Sequence, residues 1–387
     1  MKIGFDGFYA RGDLVGIGKY IQSLVFQVAK KGHQCVIFYP EKPKYPITGK
    51  NISSRILPTL NRYANEQYYI SKLIKEEKVD LYHAVGNMGV PLFCPVPAVL
   101  TVHDIIPLLF PNYFKYSKYK ILTKFSYHFR LKSSVAKAKK IIADSEYTKK
   151  TLIKQTGVKP EKVKVIYLGQ PEVNQETNKL PKGLKPSEYI LDHGGIDVRK
   201  NLDRLIRAFA RIKDKEHKQS LPLRGRTNNK GRDLKLVITG KNEAMSGGLK
   251  NEAKILGIED SVIFTGYVNE KELWSLIRQA SCICYPSLIE GFGGPVLEGF
   301  AGETPVITSN TSSLVEVAGE GALLINPEDE KEISQAIFKV IGDKQSLMLR
   351  NKEIREKLVK KGKKRLKDFS WEKTADETIK IYQKALE

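Results

Sequence analysis

The chain's 387 residues are enough for two ordinary domains, each with its own core, and long for one. Hydrophobic residues make up 41%, and no run approaches the roughly twenty apolar residues of a membrane span, which excludes a spanning helix. Lys plus Arg number 65 against 43 Asp plus Glu, a net charge of +22 that should attract polyanions, with nucleic acid and anionic lipid both open. The start, MKIGFDGFYARGD, turns polar too soon for a signal peptide. Cys35, Cys94, Cys282 and Cys284 have no metal spacing and read as core filling, which implies a reducing cytoplasm.

In chain order, residues 2–5 predict a short apolar strand, followed by a loop and then by Gly16-Ile17-Gly18-Lys19-Tyr20. Ile21, Leu24, Val25 and Val28 continue at helical spacing, so Gly16 opens a helix whose first backbone donors face a sheet's carboxyl edge. A strand is predicted at 34–39, a helix at 62–78, and buried strands at 79–83 and 98–102. Val102-His103-Asp104-Ile105-Ile106-Pro107 puts a His–Asp pair at a strand's carboxyl end, where open α/β sheets bind ligands, and Asp104 can also orient loop backbone.

From 111 to 140 the chain carries nine Lys or Arg and no acidic residue, interleaved with aromatics such as Tyr113, Phe125 and Phe129. Such a stretch reads either as a membrane-surface element or as a solvated helix face over a normal core. A strand at 141–143 leads to Asp144 and Ser145, a helix cap assigned to structure, and a strand at 163–167 closes the first domain. The segment 172–187, rich in Pro, Asn, Lys and Thr, is a linker.

The second half begins afresh with a strand at 189–191 and the turn Gly194-Gly195. Arg199 and Lys200 precede a helix through Leu202, Leu205, Ile206 and Phe209; one offers a planar fork of donors and the other a point charge, the tools expected around a diphosphate. A polar, basic insertion is predicted at 213–232. Strands at 234–239, 262–264 and 282–285 and one beginning at 305–307 then alternate with helices, and Ser370 caps a terminal helix. Two doubly wound parallel sheets follow from that alternation.

The stretch Glu290-Gly291-Phe292-Gly293-Gly294-Pro295-Val296-Leu297-Glu298 stands out. Its glycines let backbone N–H groups approach a ligand, and Pro295 suits the first position of a helix. The helix's unpaired donors and positive dipole end favour a phosphate. The two glutamates bracket that site and can accept hydrogen bonds from sugar hydroxyls.

This stretch resembles the Glu-x7-Glu signature of retaining, nucleotide-sugar-dependent glycosyltransferases of family four, which have the GT-B fold of two Rossmann-like domains facing a cleft. GIGKY, VHDIIP, ADSEYTKKTL and VRKN are similar to family segments in the same order, so the resemblance covers nearly the whole chain. It implies an acceptor-side domain at 1–170, a linker at 171–187, a nucleotide-sugar domain at 188–368 and a helix at 369–387 crossing back to the first domain. It also implies that Gly16 borders the donor diphosphate, that Arg199, Lys200, Gly291, Phe292, Gly293 and Gly294 hold it, and that Val268 and Leu273 take the base. Glu298 would bind the ribose diol, Glu290 would serve the reacting sugar as a catalytic residue, and His103 would position that sugar from the other domain. The chain departs from the pattern at Gly195, where many members have arginine.

The implied activity is transfer of a hexose with retention, from a nucleotide sugar to a hydroxyl of a saccharide or lipid-linked saccharide. No Asp-x-Asp occurs in the chain, so no metal and no cofactor is expected. GIGKY and VHDIIP resemble bacterial mannosyltransferases of polysaccharide and O-antigen assembly, which makes GDP-mannose the first donor expected and UDP-glucose the second. A nucleotide-sugar 2-epimerase using His83 and His103 is the alternative of another class. No nucleic-acid partner is expected, since such a protein has no use for two carboxylates beside a phosphate turn. The expected location is cytoplasmic, peripheral at the inner face of the membrane through 111–140.

Overall fold

A computed structural model describes residues 1–13, 15–58, 61–110, 113, 120–173, 179–220, 233–342 and 348–387. Phe114, Lys115, Tyr116, Lys118 and Tyr119 of the basic segment, part of the linker, and 221–232 of the insertion lie outside the described residues.

The chain divides into two compact units, one of Met1–Gly169 with Phe369–Glu387 and one of Gln170–Asp368. The first holds seven strands: β1 (Lys2–Asp6), β2 (Gln34–Tyr39), β3 (Ile52–Ile56), β4 (Leu81–Ala84), β5 (Ala98–Val102), β6 (Lys140–Ala143) and β7 (Val163–Val165). They form one sheet in the order β3-β2-β1-β4-β5-β6-β7, with every neighbouring pair parallel. Alternate residues of one strand fall into separate cores. Ile37 and Tyr39 pack with Ile21 and Leu24 of the helix Ile17–Lys30, whereas Val36 and Phe38 pack with Ile70, Ile74 and Leu131. Burial on both faces makes such strands unbroken apolar runs in the sequence.

Two features of this unit differ from the sequence expectation. Strand β3, Ile-Ser-Ser-Arg-Ile, lies at the sheet's edge and is mostly exposed, so it carries no apolar run to betray it. The single helix expected at 62–78 is instead Arg62–Ala64, a wider π turn at Asn65–Tyr69, and Ile70–Glu76. At the π turn Glu66 is buried, and Arg130 Nη2 donates to both its oxygens at 2.6 Å.

The last helix, Trp371–Leu386, belongs to this first unit, with Ser370 Oγ accepting from Lys373 N at its start. Thr374 Oγ1 donates to Tyr167 O at 2.7 Å, and Ile381, Tyr382 and Ala385 join the core beside Ile21.

The second unit has β8 (Tyr189–Asp192), β9 (Lys235–Thr239), β10 (Val262–Gly266), β11 (Cys282–Tyr285), β12 (Val306–Ser309) and β13 (Ala322–Ile325). Their order is β10-β9-β8-β11-β12-β13, again wholly parallel. Between β8 and β11 the strand order reverses, and ligands in open α/β sheets bind beyond the carboxyl ends at such a point. The helix Leu202–Ser220 extends into the stretch expected to be an insertion from 213, because Phe209 and Ile212 anchor its apolar face in the core. Asn269 and Glu272 form a reciprocal capping box on the helix Glu270–Gln279. Among the described residues, no helix is long and apolar enough to cross a membrane.

Candidate active site

The end of β11 and the end of β8 meet at the reversal point of the second sheet. From β11 the chain runs through Pro286 and Ser287 to Glu290, whose backbone is fixed at both ends: its N–H donates to Ser312 Oγ at 3.1 Å and its carbonyl accepts from Ser313 Oγ at 2.9 Å. Beyond β8, Asp197 accepts from Arg199 N and starts a short helical turn, Val198–Lys200, that delivers two cations to the same place.

Those cations close on Glu290. Arg199 Nη1 lies 2.6 Å from Oε2 and Lys200 Nζ 2.7 Å from Oε1, while the Ser287 hydroxyl lies 2.7 Å from Oε1 and the Tyr285 hydroxyl donates to it as well. Lys200 also donates to the Tyr285 hydroxyl, and Glu290, Lys200 and Tyr285 are all buried. Burial alone would raise the Glu290 pKa, but Lys200 and Arg199 outweigh it and hold the carboxyl at about 2. The group is therefore an anion at every ordinary pH, with its orientation set by four side chains. A guanidinium has five N–H donors, so Arg199 can hold Glu290 and still offer N–H groups to a phosphate.

The glycine turn follows directly. Gly293 has φ +106°, and a Cβ there would come within 2.6 Å of Leu314 Cδ2, so backbone and packing both require glycine. Gly294 is different: it is the first residue of the helix Gly294–Ala301, and a Cβ built on it meets nothing within 4 Å. Pro295 occupies the second helical position rather than the expected first, still where a missing N–H costs nothing. Gly291 and Phe292 are buried in the turn. Glu298 lies one turn into the helix, about a quarter exposed, with Oε2 2.9 Å from His193 Nε2. Both glutamates thus stand at the one reversal point, on either side of a glycine-opened helix start.

The other expected residues lie elsewhere. Val268 and Leu273 are half-buried on the loop after β10 and in the first turn of the helix Glu270–Gln279, at the sheet's outer strand. Gly16, with φ +48°, precedes the helix Ile17–Lys30 in the first unit.

His103 sits beyond the end of β5 in the first unit. Its Nδ1 lies 2.6 Å from Asp144 Oδ2 and its Nε2 2.7 Å from Val85 O. Both partners are acceptors, so both nitrogens donate and the ring is the imidazolium. Burial pulls its pKa down, but Asp144 more than offsets this, and the net shift is upward. The neighbour Asp104 is not the partner of that short contact: its Oδ1 accepts from Ile106 N at 3.0 Å. His83 is wholly enclosed between Tyr382 and Thr101, each 2.8 Å from a ring nitrogen, and burial drops its pKa to about 3.

Sequence reasoning passed over Tyr285, Ser287, His193 and Asp144. The usable signal was position: Tyr285 and Asp192 end the two strands that flank the reversal, and His193 and Ser287 follow within two residues. All four cysteines are free, Cys35, Cys282 and Cys284 in the core and Cys94 half-buried.

The family described as Glycosyltransferase Family 4 matches residues 15–170, and that described as Glycosyl transferases group 1 matches 174–365. The chain belongs to the GT-B glycosyltransferases. The O-antigen chain mannosyltransferase RfbU of Salmonella typhimurium is 32% identical to this glycosyltransferase over 62% of the chain, and that match spans 59% of RfbU's own length. The O-antigen chain mannosyltransferase B of Escherichia coli is 25% identical over 99% of the chain and 100% of its own. The solved structure of Anabaena HepE in complex with UDP and glucose superposes with a TM-score of 0.69 at 17% identity, covering 99% of this chain and all of that one, a likeness of fold.

Proposed function

We propose that this glycosyltransferase moves a hexose, with mannose from GDP-mannose as first choice, to a hydroxyl of a saccharide or lipid-linked saccharide, with retention at the anomeric carbon. The observation that carries the reading is the placement of Glu290 and Glu298 around the helix start at Gly294. In this reading the departing nucleoside diphosphate is stabilised without a divalent metal, by the helix N-terminus, Gly291 to Gly294, Arg199 and Lys200. Glu298 binds the ribose diol, and Val268 and Leu273 pack against the base. The first unit's contribution is assigned to Gly16 and His103 on the family resemblance, and His103, buried with its ring nitrogens on Asp144 and Val85 O, must give up one of those bonds to reach the sugar.

Glu290, anionic throughout, supports the positive charge that builds at the anomeric carbon. A carboxylate held at about 2, with both oxygens already accepting strong hydrogen bonds, is a weak nucleophile, which favours same-face attack over a covalent intermediate. The bond from the anomeric carbon to phosphate oxygen breaks as the bond to the acceptor oxygen forms. The acceptor's proton passes to the departing phosphate.

The mannosyltransferase names of the curated relatives support the donor choice. UDP-glucose remains the second reading, on the glucose-bound HepE neighbour. The 2-epimerase alternative loses His83 as an acid or base, since that ring is enclosed and committed to Tyr382 and Thr101. The helix Lys120–Lys137 supports a membrane-associated acceptor: Leu122, Phe125 and Phe129 share one face and are 67%, 69% and 57% exposed, beside exposed Lys124 and Lys132. The function is tested by a thermal-shift screen of GDP, UDP and ADP and their sugars, followed by transfer assays with the stabilising donor. A ligand at a hundred times its Kd adds about 2.7 kcal/mol of stability. GDP and GDP-mannose should give the largest shift; no shift with any nucleotide sugar overturns the reading.

A further inference from the structure

His193 follows the last residue of β8 and is wholly enclosed, with its side chain 0% exposed. Its Nε2 lies 2.9 Å from Glu298 Oε2. A carboxylate oxygen only accepts, so Nε2 carries the ring proton and donates it. The other nitrogen, Nδ1, is buried and has no partner among the described residues. An unpaired N–H would cost more there than a lone pair, which fixes the same tautomer. The ring thus makes one polar contact in the described structure, and that contact is to Glu298.

We propose that His193 is a positioning residue that presets the Glu298 carboxylate for the ribose 2′,3′-diol of the donor nucleotide, and so gives the site its preference for ribonucleotides. This rests on Glu298 being the ribose ligand. A glutamate side chain loses rotamer freedom when immobilised. Here one oxygen is already pinned from the enclosed side, while the carboxylate stays a quarter exposed and reachable. The chemistry of the pin matters as well as its place. A histidine donates a single hydrogen bond to Oε2, leaving the carboxylate capacity to accept from two adjacent hydroxyls. An arginine at this place would occupy both oxygens with its fork. The pair also links the two flanks of the reversal point, because His193 extends from β8 and Glu298 belongs to the helix that follows β11.

The test is calorimetric binding of GDP against 2′-deoxy-GDP, with UDP and 2′-deoxy-UDP in parallel, to the full chain and to His193→Leu and His193→Gln. The wild type should prefer the ribonucleotide by about tenfold or more, the worth of a hydrogen bond to a charged group. In His193→Leu that preference should collapse toward one, because ribonucleotide affinity falls while deoxynucleotide affinity stays. His193→Gln, which keeps an N–H donor, should recover most of it. A leucine variant that retains the full preference overturns the positioning role while leaving Glu298 as the ribose ligand. A wild type with no preference overturns the ribose reading itself. Should the leucine variant not fold, nitrogen-15 NMR of the wild-type histidines decides: the His193 Nε2 signal should shift with GDP and not with 2′-deoxy-GDP, and equal responses overturn the role.

Discussion

Lys200 Nζ lies 2.7 Å from Glu290 Oε1, deep in the second unit, with Arg199 on the other carboxylate oxygen. Two cations face the buried Glu290 at the helix start, and Arg199 also lies 3.6 Å from Asp197. The same arrangement fixes the carboxylate so that little reorganisation is needed when charge develops beside it.

Two adjacent glycines should respond differently to one methyl group. Gly293→Ala puts a Cβ 2.6 Å from Leu314 in a left-handed backbone, and should lower stability by more than about 1 kcal/mol. Gly294→Ala meets no protein atom within 4 Å, so the fold should hold while nucleotide binding weakens at least tenfold, because the methyl intrudes where the proposed phosphate site approaches the backbone. Denaturant melts and calorimetry on both variants check this. Full nucleotide affinity in folded Gly294→Ala would place the phosphate elsewhere.

The buried carboxyls give stability a pH dependence of two opposite signs. Burial pushes Asp192 up to about 6 from an ordinary 3.8, so its contribution is whole below 3.8 and is lost as pH rises through about 6. Asp6 in the first unit is also pushed up to about 6 by burial and acts the same way. Glu290, lowered to about 2 from 4.5, contributes stability that is present above 4.5 and lost as pH falls through about 2. Asp192→Asn should therefore flatten the rise in Tm between pH 6 and 4 for the second unit, and an unchanged profile would contradict the burial account.

Asp144→Asn should destabilise the first unit by about 3 kcal/mol, the scale for breaking a buried ion pair. His103 has a raised pKa, so the loss should be fully visible below 6.5 and fade as pH rises through the folded value. Urea midpoints at two pH values measure it. The matching Asp104→Asn change should cost far less, since Asp104 Oδ1 accepts from the Ile106 backbone N–H, a bond that an asparagine oxygen keeps.

Replacing Phe125 and Phe129 with serine should leave the fold intact, both rings being exposed, and should cut sedimentation with vesicles rich in anionic phospholipid several-fold. Equal sedimentation of variant and wild type would assign that helix face to solvent.

The double-wound plan was legible because strands such as β5 and β11 are buried on both faces and appear as apolar runs bounded by turns. Strand β3 was not, since an exposed edge needs no apolar residues, and the π turn at Asn65–Tyr69 leaves no mark in helical spacing. At the site, the motif glutamates and glycines could be read by spacing, but their partners could not. Tyr285 reads as one more apolar strand residue, and the pairs His103–Asp144 and His193–Glu298 join groups far apart in sequence, which only the folded sheets bring together.

The most direct measurement is sugar transfer by Glu290→Gln, alongside calorimetric binding of the donor nucleotide. The substitution keeps the side chain's shape while removing the charge proposed to face the anomeric carbon. Transfer should fall by about a hundredfold or more, with nucleotide affinity kept or improved as Arg199 and Lys200 lose their anionic partner. Turnover equal to wild type in a variant that binds nucleotide normally would contradict the role given to Glu290.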